Sequence, residues 1–474
     1  MSTAPQVSAS PRFSATQIAI FSLPALPLAA LQLPLYINVP AYYTGVLGIT
    51  AQMVGYALIA ARLIDAVMDP MLGIWADRIH SPYGRRHTFF LGSIFFTTPA
   101  AILLFMPDWF MPLIGLDPVK HGFWYLLFAA ACLSVGYTAT FLPYTSWMAE
   151  MSGDYDERSR FAAGREVSII TGTLLAAGVP LFMTKVIGLD SPHTALTTLA
   201  VFIGILLPLA AIVMARNTPE PTNYTVHEVK FVEGLRYMWK NKLFVRLATA
   251  FLFNVFANGL PATLLAFFAS AVLKDPGAFQ VLLALYFVSG LAGVVIWLPL
   301  AKRVGKHRTW CLAMGLACCA FIWSPLLGPG DTIWFGVILV VAGLSLAADL
   351  ILPLSMQADV IDADTATSGE QRSGLYFAVW QLLNKLALAG TAVSLIILGY
   401  LGFDAHAAKA NPLMQQPAHA IWALEILFAV VPVVLKLIAV SMIWNFPLGR
   451  EEQHELRAKI EKTAEAEGVI PHRD

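Results

Sequence analysis

The sequence predicts an all-α membrane protein in which twelve transmembrane helices form two pseudo-symmetric six-helix bundles. Three observations lead there. The chain of 474 residues is 58% hydrophobic and 13% charged, where soluble domains carry about 25% charge, and its mean hydropathy is +0.68. Twelve stretches reach the roughly 20 apolar residues that a helix needs to cross the hydrocarbon core. The polar connections of the first six stretches also recur, in kind and in place, among the second six.

The spans follow in order at 16–44, 51–76, 88–107, 122–149, 163–187, 195–215, 244–272, 277–301, 309–327, 332–357, 374–402 and 420–446. Pro24, Pro27, Pro34 and Pro40 punctuate the first. Proline removes a backbone donor, so this span is expected to bend, and its length sets it apart from a short cleavable signal sequence. The longest polar connection, Arg216 to Lys242, holds Pro219 and Pro221 and separates six spans from six. The expected organisation is an amino-terminal bundle (1–215), a linker (216–243), a carboxyl-terminal bundle (244–446) and a tail (447–474).

Lysine and arginine set the orientation. Only Lys120, Lys274 and Lys409 lie in odd-numbered connections, with Lys185 at the span end adjoining another, and only Arg62, Lys385 and Lys436 lie deep in spans. The others sit in the amino terminus, the even connections, the tail, or the span ends adjoining them, which places both termini in the cytoplasm. The 30 basic and 30 acidic residues balance, so bulk charge points to no nucleic-acid partner, and no obligate protein partner is evident. The expected partners are the bilayer and a small solute. Cys132, Cys311, Cys318 and Cys319 fall in apolar runs and read as small core residues rather than a disulfide or zinc framework.

Against this apolar background, Arg62-Leu63-Ile64-Asp65-Ala66-Val67-Met68-Asp69-Pro70 carries three charges inside the second span. A charge in hydrocarbon costs several kcal/mol, with figures from about 3 to 10 or more, and is a functional-site hypothesis by default. Asp65 and Asp69 are i and i+4, so they stack on one helix stripe about 6 Å apart along the axis. Two stacked carboxylates can hold a cation. Arg62, three residues before Asp65, offers a counter-charge on nearly the same stripe. A plain structural pair between Arg62 and Asp65 is the competing reading, and it leaves Asp69 unexplained.

The recurring connections have a mechanical reading. Asp77-Arg78 and Gly84-Arg85-Arg86 after the second span match Lys302-Arg303-Val304-Gly305-Lys306 after the eighth. Glu150, Asp154 and Arg158 after the fourth span match Asp359, Asp362 and Arg372 after the tenth. Matching loops at matching places are what a parallel repeat leaves, with a solute site near midplane between two rocking halves. Charge-assisted bonds among these gating candidates could latch the halves on the inner side. Charges on such loops are also ordinary solvated topology signals.

With these pieces in view, the chain resembles the glycoside-pentoside-hexuronide:cation symporters, the melibiose permease-like branch of the major facilitator superfamily. The likeness runs from Tyr42-Tyr43-Thr44-Gly45 to the twelfth span. Its most specific parts are Arg62 to Pro70, Tyr137-Thr138, Pro143-Tyr144, Ala358 to Asp362 and Gln381 to Lys385. The resemblance implies a major facilitator fold, a bacterial inner membrane and cation-coupled symport by alternating access, without a cofactor beyond the coupling ion. It also implies that Asp65 and Asp69 bind the cation, with a sodium or a proton there, and that Thr138 helps ligate it. Lys385 would face them from the eleventh helix, and Arg165 would lie by the solute.

Two departures qualify it. Sodium-using relatives have an asparagine where this chain has Met68, a poor sodium ligand, so proton coupling is favoured. Galactoside-binding acids of the first and fourth helices, and a stacking tryptophan, fall here at about Ala29, Phe141 and Thr145. Apolar groups cannot accept the hydrogen bonds that sugar discrimination needs. The expected solute is therefore a sugar or glycoside other than a simple galactoside, with a lysolipid or other amphipathic solute as the alternative. Asp349, Gln32, Asn38, Thr145, Asn254, Asn258, Trp380, Gln381 and Asn384 are the remaining polar candidates for that site, and polar amides in spans are equally often inter-helix bonds. Glu425 and Lys436 read as snorkelling interfacial residues without a function. A membrane-embedded enzyme is disfavoured because none of the ten histidines lies deep in a span and no nucleophile motif or GxxxxGK[ST] run occurs. A channel is disfavoured by the two-half repeat.

Overall fold

The protein is seen in a computed structural model that describes residues 13–78, 81, 84–151, 155–189, 193–219, 238–368, 373–410 and 415–447. Among the described residues every regular element is helical. Twelve helices are long and apolar enough to cross a membrane: Ala15–Tyr36, Ala51–Asp69, Arg86–Phe105, Pro118–Met148, Gly164–Lys185, Thr194–Asn217, Lys242–Val272, Pro276–Val304, Lys306–Leu326, Thr332–Asp364, Val379–Tyr400 and Ala418–Ile443. These are spans 1 to 12 below. The start of span 1 and the end of span 12 share one side, called the terminus side; the opposite side is called the far side.

Local chemistry accounts for the ends and breaks. Ser14 and Gln17 form a reciprocal capping box that starts span 1, satisfying backbone donors no turn precedes. Span 1 is then broken into Ala15–Ser22, Ala25–Tyr36 and Asn38–Gly45, with Pro24 and Pro34 at or just before the interruptions. Asp117 and Asn241 cap spans 4 and 7 through their side-chain oxygens. Span 3 begins after Gly84 and span 9 after Gly305, both at φ 97° with ψ 148° and 152°. Only glycine takes that conformation freely, so the two basic loops share a turn as well as a sequence pattern.

Packing repeats in the same register. Span 4 lies against spans 2 and 3, and span 10 against spans 8 and 9; span 5 packs on span 1 as span 11 packs on span 7; spans 3 and 6 pair as 9 and 12 do. Between the halves the main contacts are span 2 with span 11 and span 5 with span 8, a pair of contacts that the same repeat exchanges. The first six spans thus share a fold with the second six, as the loops led one to expect.

The span 2 and span 11 seam is closed at its far end. A Cβ on Gly399 would lie 2.1 Å from Gln52 Cγ, and one on Gly55 would lie 2.9 Å from the Ala392 carbonyl oxygen. Next to them the Tyr56 and Tyr400 hydroxyls bond at 2.8 Å. The short helix Ala405–Ala410, between spans 11 and 12, covers Asn38–Gly45 on the same side. Between the halves, beside Arg62 and Thr391, lies a cavity of about 20 Å³, room for about one water.

Candidate functional site

Span 2 presents Asp65 and Asp69 one turn apart, and span 4 crosses it with Thr138. The Thr138 hydroxyl donates to Asp65 Oδ1 at 3.1 Å. Arg62, one turn before Asp65, lies 4.8 Å over the Tyr36 ring and 3.4 Å from Asp65 Oδ2. Lys385 arrives from span 11, in the other half. Its ammonium is 2.6 Å from Asp69 Oδ2 and 3.2 Å from Asp65 Oδ2, and donates to Thr138 Oγ1 at 3.0 Å. Sequence reasoning named all five residues, and the fold brings all five together.

Two carboxylates facing two basic groups leave the cluster neutral, which is what makes it tolerable in hydrocarbon. The two acids are not equivalent. Asp65 is 2% exposed and has partners on both oxygens, whereas Asp69 is 24% exposed and its Oδ1 is buried without a hydrogen-bond partner among the described residues. Lys385 is 23% exposed, and Gln381, a further turn toward the terminus side, is exposed. Access therefore increases toward the terminus side and ends at the closed seam beyond Arg62. Three oxygens around one ammonium form a site that a small cation or a proton can occupy instead, and the ligands are hard oxygens. Because the ammonium belongs to the opposite half, exchanging it for an ion removes a bond between the halves.

The other candidates separate into groups. Arg165, on span 5, donates to Glu166 at 2.6 Å, and its Nε is buried without a partner among the described residues. Gln32 lies beside Tyr137, whose ring stacks on Phe141 at 5.5 Å. Gln381 is exposed and Asn384 half-buried on the Lys385 helix. Asn38 is buried where span 1 meets its last segment, Asn38–Gly45. The Thr145 hydroxyl donates to carbonyls of its own helix, Phe141 and Leu142, because a threonine in a helix can reach back one turn. Trp380 is 2% exposed and stacks on Phe251 at 3.9 Å, inside the carboxyl-terminal half.

Asp349, Asn254 and Asn258 join a separate network. Asp349 accepts from Trp310 Nε1 at 2.8 Å, Asn258 Nδ2 at 2.9 Å and Lys436 Nζ at 3.0 Å, and Lys436 also donates to Asn254 Oδ1 at 2.7 Å. The expectation that Lys436 snorkels is corrected: its side chain is 3% exposed, because a buried acid elsewhere in the same half supplies its counter-charge. Trp310 and Lys436 are what sequence reasoning missed. The signal was there in Asp349, a lone acid in a span that had to meet one of three intramembrane cations, two of them already matched to Asp65 and Asp69.

Of the gating candidates, Gly84 makes the turn described above and Arg86 is buried. Asp359 accepts from the Lys306 ammonium at 2.6 and 2.8 Å. That pair ties span 9 to span 10 inside one half, and Asp359 has further interactions besides it. Asp362 is partly buried with partners of its own. The side chains of Asp77, Arg78, Arg85, Glu150 and Arg158, and all of Asp154 and Arg372, lie outside the described residues.

Residues 20–450 match the family of MFS/sugar transport proteins. The chain belongs to that family. This transporter is 26% identical to the human sodium-dependent lysophosphatidylcholine symporter 1, over 85% of this chain and 78% of that one. It is 24% identical to the glucuronide carrier protein homolog of Escherichia coli, over 89% and 90%. Its fold is similar to the crystal structure of a bacterial homolog of the human lysosomal transporter Spinster, inward-facing and occupied, with a TM-score of 0.57, 14% identity and coverage of 94% and 99%. The protein is an integral multi-pass membrane transporter, not an enzyme.

Proposed function

We propose that this transporter couples solute movement to a cation held by Asp65, Asp69 and Thr138, with Lys385 filling the site when the cation is absent. The observation that carries the reading is the Lys385 ammonium within 3.2 Å of oxygens on all three residues. The ion and the lysine compete for one place, so the loaded and empty carriers differ in a bond across the halves. A two-state carrier is driven only by such differential contacts. Asp77, Arg78, Arg85, Glu150, Asp154, Arg158 and Arg372 remain proposed parts of the inner gate, facing the cytoplasm with both termini.

The favoured ion is the proton. Met68 offers no hard ligand between the two acids, and a lone Asp69 oxygen suits protonation. Sodium is the alternative, since the human relative's name includes sodium dependence. The favoured solute is a sugar or glycoside other than a simple galactoside, held from one half by Gln32 and Arg165 and from the other by Gln381 and Asn384. A glucuronide-like acid suits Arg165, whose free Nε can donate to a carboxylate. The second reading is a lysolipid: Ala29, Phe141 and the stacked Tyr137 give the amino-terminal half an apolar wall, and relatives are named for lysophosphatidylcholine.

A thermal-unfolding screen of the purified protein tests both points. Sugars, glucuronides and lysolipids are each added with and without sodium chloride at pH 5.5 and pH 8, to wild type and to Asp69→Asn. Stabilisation by a glycoside that depends on pH in wild type alone is the expected result. Stabilisation by lysolipid only would replace the solute, and ion or pH effects identical in Asp69→Asn would remove the coupling site.

A further inference from the structure

The two intramembrane charge clusters differ in one respect that matters for a carrier. The Asp65, Asp69 and Lys385 cluster crosses between the halves, so rocking breaks it. The Asp349 and Lys436 cluster lies wholly within the carboxyl-terminal half, on spans 7, 9, 10 and 12, so rocking leaves it alone. Lys436 is 3% and Asp349 4% exposed at the side chain, Asn254 1%, and the titratable groups near them include Tyr286 and Cys318. The pair is thus buried, whereas Asp69 and Lys385 are a quarter exposed.

We propose that Asp349 and Lys436 carry no transported ion and act as positioning residues, a permanent charge pair that fixes span 7 and through it the helix bearing Lys385. The chain of contacts is continuous. Lys436 and Asp349 hold Asn254 and Asn258, one turn apart on span 7. Span 7 in turn holds span 11: Thr263 donates to Thr391 at 3.1 Å, Phe251 stacks on Trp380, and a Cβ on Gly259 would lie 2.5 Å from the Thr391 methyl. Span 11 presents Lys385 to the acids of span 2. The pair is thus connected to the ion site by position and not by charge. Only this last link depends on the proposed ion site; the pairing of Asp349 with Lys436 does not.

Removing one member of a buried pair strands the other charge, while removing both can be nearly neutral. The test uses the full-length protein in lipid nanodiscs, with Asp349→Asn, Lys436→Met, the double variant and Asn254→Ala. Unfolding temperature is followed from pH 5 to 9, with and without sodium chloride. Each charge variant is expected to lose thermal stability heavily and the double variant to recover most of it. The double variant is expected to keep a pH and sodium response, with its midpoint shifted in the same direction as in Asn254→Ala, because Lys436→Met also removes the bond to Asn254. Asn254→Ala, which keeps both charges but frees span 7 from Lys436, is expected to fold and to shift the pH midpoint.

Additive losses in the double variant would overturn the pairing. A double variant that is stable but has lost the wild-type pH or sodium response would mean that Asp349 itself carries the ion. An Asn254→Ala protein with unchanged midpoint would overturn the positioning role. Stability recovery in the double variant with no pH or sodium response even in wild type would retain the pairing, sink the positioning of Lys385, and count against the proposed ion site separately.

Discussion

Replacing Gly399 by valine should open the far side of the transporter. In the closed seam even a single carbon added there meets Gln52 Cγ at 2.1 Å and the Gln52 backbone nitrogen at 2.7 Å. The side-chain atom can move aside and the backbone cannot, so helix must part from helix. Overpacking of this kind costs typically about 1–3 kcal/mol. Because the seam joins the two halves, that cost falls on the far-side-closed state and not on the open one, a shift of roughly 5- to 150-fold in the balance. Spin labels at Leu113 and Leu326, exposed far-side positions on opposite halves, report the separation directly. Wild type should show mainly the short distance and Gly399→Val mainly the long one. A variant that unfolds at a lower temperature while its distance distribution stays as in wild type would refute the seam as a gate.

Other substitutions test neighbouring links. Tyr56→Phe removes one hydroxyl bond, worth about 1 kcal/mol, and should move the same spin-label distances in the same direction by less. Lys385→Met removes the resident competitor of the ion; a bond to a charged group is worth about 1.5–3 kcal/mol, so sodium or proton binding, read by titrating intrinsic fluorescence, should tighten by roughly tenfold or more. Weaker binding in that variant would mean that the lysine helps hold the ion. Thr138→Val keeps the shape and removes one oxygen, so ion binding should weaken while unfolding temperature in the absence of ion changes little. Arg165→Lys keeps charge but not the planar donor fork; if the solute carries an acid, solute binding in equilibrium dialysis should fall nearly as far as in Arg165→Gln.

The fold was legible because lipid imposes strict rules on the chain. Backbone polar groups must be satisfied within each span, so apolar length alone located twelve helices, and the prolines of span 1 located its breaks. The glycine turns at Gly84 and Gly305 were legible because only one residue type fits them. The charge cluster of the proposed ion site was legible for a related reason: charges in hydrocarbon need partners, and Asp65, Asp69 and Lys385 could be matched to each other through a family resemblance. Where residues have several ways to be satisfied, sequence was a poor guide. Thr145 bonds its own helix, Trp380 packs in a core, and Asn254 and Asn258 face Lys436 and Asp349 instead of a passage. Each of those outcomes is set by which helix lies alongside, and that neighbour is chosen by the whole bundle. Lys436 was misread because its partner sits 87 residues away and no local pattern links them.

Uphill uptake in proteoliposomes tests the coupling most directly, using the solute that stabilises the protein in the thermal screen. With an inward gradient of protons, or of sodium if that ion proves active, wild type should concentrate the solute above its external level. Asp69→Asn should still exchange labelled for unlabelled solute at a comparable rate and should accumulate none. Equal accumulation by Asp69→Asn and wild type would contradict the account, since the carboxylate facing Lys385 would then have no part in linking the ion to the solute.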